Sequence, residues 1–144
     1  MAITAEQVAT LRAYLAGDFD EYNRLYERLD PEAARTGYVA LIDAAFFKAV
    51  DRRFAKDGTH TDVVEYVADV RARSDRLSEI DPTAAERLMR AVLGDGSVDD
   101  LDDETRFGTE IILLAALTVD ANLDDAELDA FLDDGRKLAD KWIS

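Results

Sequence analysis

Ile111 to Val119 reads Ile-Ile-Leu-Leu-Ala-Ala-Leu-Thr-Val, an uncharged run in a chain that otherwise carries 32 acids and 17 bases. A helix that is apolar on every side belongs in a protein interior. The run is far shorter than the roughly 20 apolar residues needed to cross a bilayer, so other helices must wrap it in a bundle. The 144 residues amount to one domain, 1–144, large enough to bury a sizeable core.

Composition narrows the function classes. With 48% hydrophobic residues and two prolines, the chain is able to fold despite its charge. It has no cysteine, which removes disulfides, thiolate metal sites and cysteine nucleophiles. The opening residues Met1-Ala-Ile-Thr-Ala-Glu-Gln lack the basic and apolar regions of a signal peptide, so a cytoplasmic location without membrane association is expected. A net charge of −15 repels phosphate backbones, so nucleic acid is not an expected partner. A basic protein, or a second copy of the chain as a homo-oligomer, fits better. The 22 Asp and 10 Glu against 13 Arg and 4 Lys are also what a GC-rich genome or a salty cytoplasm would produce.

Helix-start signals recur along the chain. Thr4 with Gln7, Asp18 with Glu21, and Asp124 with Glu127 have capping-box spacing, in which each side chain satisfies a free backbone N–H. Asp30-Pro31 and Asp81-Pro82 place a cap just before a proline at the first helical position. These marks predict helices near 4–16, 18–29, 31–57, 61–79, 82–93, 102–121 and 125–142, the third interrupted at Gly37. No strand is expected. The fold class is therefore an all-α, compact single-domain bundle of six to eight helices, with 102–121 as its buried central helix. In 125–142, Leu128, Phe131, Leu132, Leu138, Ala139 and Trp142 form a stripe, and Gly135 at its centre invites close approach by a neighbour.

Tyr14 to Pro31, with Gly17-Asp18-Phe19 before a helix and Asp30-Pro31 after it, resembles the turn and second helix of a tetratricopeptide repeat. That resemblance implies a helical hairpin. No second copy follows at the family's spacing of about 34 residues, and such repeats need neighbours for stability.

Motifs for chemistry are incomplete. Asp95-Gly-Ser-Val-Asp99 and Asp120-Ala-Asn-Leu-Asp124 echo the middle of an EF-hand loop. In that register Ala91 and Leu93, or Ala116 and Thr118, stand where the first-half ligands belong. No metal site and no cofactor is expected. His60 is the sole histidine, too few for the paired Glu-x-x-His motifs of a di-iron bundle, and no triad partners are in evidence. No catalytic residue is assigned.

Three charged residues interrupt apolar arcs. At roughly 100° per residue, Asp43 falls between Phe46, Val50 and Phe54; Arg53 falls near Ile42, Phe46 and Ala49; Glu110 falls near Leu114 and Leu117. A buried charge must be paired, snorkel or line a cavity, so Asp43, Arg53 and Glu110 are candidates for an interior polar site. Asp99, Asp100, Asp102 and Asp103 form the densest negative cluster and are the candidate partner contact. The sequence favours a non-catalytic protein-interaction or regulatory module with an acidic surface; the alternative is a carboxylate-based metal- or small-ligand-binding helical protein.

Overall fold

The computed structural model describes residues 2–54, 59–73 and 75–143. It is an all-α bundle. Helices α1 (Ala5–Leu15) and α2 (Phe19–Arg28) form a hairpin, and a short turn α3 (Pro31–Ala33) passes through a π-helical turn (Ala34–Tyr38) into α4 (Val39–Phe54). They are followed by α5 (His60–Ala72), a 3₁₀ turn (Leu77–Glu79), α6 (Pro82–Val92), α7 (Asp103–Ala121) and α8 (Asp125–Ile143). The expected continuation of the third helix from 55 to 57 lies outside the described residues.

Local chemistry sets most boundaries. The Thr4 hydroxyl accepts from the Gln7 N–H while the Gln7 amide oxygen accepts from the Thr4 N–H, closing a capping box. Asp124 and Glu127 exchange the same two bonds before α8. Asp18, Asp30, Asp81 and Asp102 each accept from a first-turn N–H. The α1–α2 turn runs through Gly17 at φ +78°, a conformation that favours glycine. The predicted helix 61–79 ends early, at Ala72. Beyond it the Ser78 hydroxyl donates to the Asp75 carbonyl at 2.6 Å, a local bond that competes with helical pairing.

The expected break at Gly37 takes the form of the π-helical turn. Gly37 is buried against α1, where an added Cβ would stand 2.6 Å from Gln7 Nε2. Gln7 in turn donates to the Ala33 carbonyl at 3.3 Å, so one amide both caps α1 and ties it to the α3–α4 entry.

The core centres on two neighbouring helices. In α7, Leu113, Leu114 and Leu117 are buried, with α1, α4 and α6 packed around them. Because those neighbours leave one side open, Ile111, Ile112 and Ala115 are half-buried and Val119 is 66% exposed. Helix α4 is covered on still more sides, by α1, α6, α7 and α8. Its alanines Ala44, Ala45 and Ala49 are buried, and Gly135 of α8 passes over Ala45, a Cβ at Gly135 standing 3.5 Å from it. Small residues at this crossing let α4 and α8 pack closely.

Candidate functional site

The structure places the three interior candidates at two separate loci. Asp43 and Glu110 meet across the α4–α7 contact, and the residue that joins them is Arg106. Its Nη2 donates to both Asp43 carboxylate oxygens, at 3.2 and 3.3 Å, and its Nε donates to Glu110 Oε2 at 3.4 Å. Arg106 lies one turn before Glu110, the i,i+4 spacing at which helical side chains meet. Glu110 is fully buried, and its Oε1 receives no hydrogen bond. Burial, with Asp43 next to it, pushes the Glu110 carboxyl up to about 9, and Arg106 only partly opposes that rise. At neutral pH Glu110 is therefore protonated, and the proton turns an unmatched acceptor into a donor facing Asp43. The trio borders a cavity of about 160 Å³ beside Phe46, Phe47 and Trp142.

Arg53 is not part of that interior. It is exposed on the last turn of α4, and its guanidinium lies over the rings of Tyr66, at 4.7 Å, and Phe54, at 5.6 Å. The helical-wheel argument fails there because the bundle does not cover this turn on all sides. What Arg53 borders is a groove of about 730 Å³ between α4, α5, α7 and α8.

The groove has an apolar floor and a charged rim. Phe54, Tyr66, Leu117 and Phe131 are buried in the floor, with Leu123 half-buried beside them. Tyr66 is fixed from behind: its hydroxyl donates to Asp120 Oδ2 at 2.7 Å, and Arg73 Nη2 donates to the same oxygen at 2.8 Å. Burial, together with the bond to Asp120, holds the Tyr66 hydroxyl well above its ordinary value, while the Asp120 carboxyl sits below the usual carboxylate range, chiefly through Arg73. On the rim, Asp62 accepts the Thr59 N–H of its own capping box and Asp69 pairs with Arg73. Among the described residues, Arg52, Arg53 and Glu65 have no ion pair. Arg52 and Phe131 are shared with an adjoining groove of about 380 Å³ whose rim carries Lys48, Asp51, Glu127 and Asp134.

No known family matches this chain, and neither does any curated protein or solved structure.

The acidic loop is partly committed to the fold. Asp100 accepts two bonds from the Arg87 guanidinium, which holds its carboxyl below the usual range, and Asp102 caps α7 through the Thr105 N–H at 3.1 Å. Only Asp99 and Asp103 present carboxylates without a partner among the described residues. Asp95 pairs with Arg90, and among the described residues no group of three or more acids and histidines is placed to hold a metal ion. His60 is exposed at the start of α5. Among the described residues no helix is long and apolar enough to cross a membrane.

Arg106 and the groove escaped the sequence reading. Arg106 stands in a polar stretch, Glu104-Thr105-Arg106, and its one signal was the four-residue spacing to Glu110. The groove draws on four helices and has no linear motif.

Proposed function

We propose that the chain is a binding protein whose working surface is the groove between α4, α5, α7 and α8. The observation that carries this reading is the pairing of Arg52 and Arg53, both without ion pairs among the described residues, with a buried floor of Phe54, Leu117 and Phe131. Binding pockets for small molecules combine an apolar lining with a few well-placed polar groups and span roughly 300–1,000 Å³. The groove falls within that range.

A fragment screen followed by ¹⁵N chemical-shift mapping tests the reading. Shifts clustered at Ala49, Leu117, Thr118 and Phe131 support it. Hits that cluster on another face, or a groove that no fragment perturbs, overturn it.

A second reading, self-association, is favoured by α2. Phe19 and Tyr26 are 57% and 52% exposed, no residue of α2 is buried, and the helix packs on α1. A second copy covering these rings would be opposed by like charge, so the dimer should tighten as salt screens the repulsion. Sedimentation that stays monomeric at high protein concentration in both low and high salt removes this reading.

A further inference from the structure

Resting on the groove as the binding surface, we infer that its ligand is an amphipathic carboxylate, with its acid group on Arg53 and Arg52 and its apolar body over Phe54, Leu117 and Phe131. Arg53 is held by the faces of Tyr66 and Phe54, an attraction between charge and ring quadrupole that occupies none of its N–H donors. Among the described residues those donors have no acceptor. Tyr66 is itself anchored by Asp120, so the guanidinium is positioned before any ligand arrives. A fixed planar fork with free donors matches a carboxylate in bidentate fashion.

The acids around the groove leave the Arg53 donors unoccupied. Asp62 and Asp69 are engaged on their own helix and Asp120 is shared by Tyr66 and Arg73. The rim as a whole is net negative, with Arg52, Arg53 and Arg73 against Asp62, Glu65, Asp69 and Asp120, so selection for a carboxylate rests on the free guanidinium fork of Arg53 and not on the summed charge. The net charge of the chain opposes an incoming anion at long range, but at physiological ionic strength such repulsion is screened beyond about 8 Å, whereas the rim arginines act at contact.

Calorimetric and NMR titrations with 4-phenylbutyrate, 4-phenylbutyramide and 4-phenylbutylamine, which share one apolar body, test the class. The carboxylate should bind on the order of tenfold or more tighter than the amide, the margin of charge-assisted over neutral hydrogen bonds. Arg53→Gln should erase that preference, with circular dichroism unchanged and melting lowered only slightly, by the loss of its contacts with Tyr66 and Phe54. Arg53→Lys should restore only part of it, since an ammonium lacks the fork. Amide or amine binding as tight as the carboxylate overturns the ligand class while leaving the groove as the binding surface. Undiminished carboxylate preference in Arg53→Gln overturns the assignment of the acid group to Arg53, and failure of all three probes to shift groove resonances overturns the class outright.

Discussion

Replacing Glu110 by Gln should stabilise the protein and remove a pH dependence from it. The folded carboxyl sits at about 9 against an ordinary value of 4.5, so the folded state holds a proton that the unfolded chain releases. For a group raised in this way, stability is fully present below the lower value and is lost as pH rises toward the higher one. At about 1.4 kcal/mol per pH unit, the interval from 4.5 to neutral pH costs the wild type roughly 3 kcal/mol. Gln has the shape of the protonated acid. Its carbonyl can accept from Arg106 and its N–H₂ can donate to Asp43, so both contacts survive without the cost of protonation. Urea denaturation from about pH 6 to about pH 8.5 should show wild-type stability falling by up to about 1.4 kcal/mol per unit. Over the same window Glu110→Gln should be flatter and more stable by about 1–3 kcal/mol at neutral pH, part of the gain being lost to a weaker pair with Arg106. Parallel pH profiles for the two proteins, or a variant less stable throughout, would refute the protonated Glu110.

Three further outcomes follow from the packing and the caps. Leu114→Ala empties a fully buried site in α7 and should cost about 2–5 kcal/mol in chemical denaturation. Gly37→Ala drives a methyl group to 2.6 Å from Gln7 Nε2 and should cost about 1–3 kcal/mol; adding Gln7→Ala should return part of that loss, a coupling readable from the double-mutant cycle. In the acidic loop, Asp102→Ala removes the α7 cap and should lower stability by about 1 kcal/mol. Asp99→Ala, beside it and unpaired, should stay within about 0.5 kcal/mol of wild type in the same melts.

The sequence was most readable where structure is decided locally. Thr4, Asp18, Asp30, Asp81 and Asp124 act on backbone groups within a few residues, so their spacing alone marks where helices begin. Asp43 and Glu110 stood out because a charge on an apolar arc conflicts with burial, and the fold brings these two together. Which neighbours cover a given turn is a tertiary matter. Arg53 sits on the same arc as Phe46, yet the last turn of α4 opens onto the groove, and a fixed angular step cannot register that change. The prominence of α4 was hidden for a related reason: Asp43, Lys48 and Asp51 interrupt its apolar surface, whereas α7 advertises itself through an uncharged run. Asp100 and Asp102 looked like free negative charge because Arg87 and the Thr105 N–H meet them only in the folded loop.

The most direct test of the account is a crystal structure of the protein grown with 4-phenylbutyrate. The account predicts the carboxylate within hydrogen-bond distance of Arg53, with Tyr66 still donating to Asp120 behind it and the phenyl ring resting on Leu117 and Phe131. Ligand density elsewhere on the bundle, or a groove closed by its own side chains with Arg53 turned into an ion pair, would contradict it.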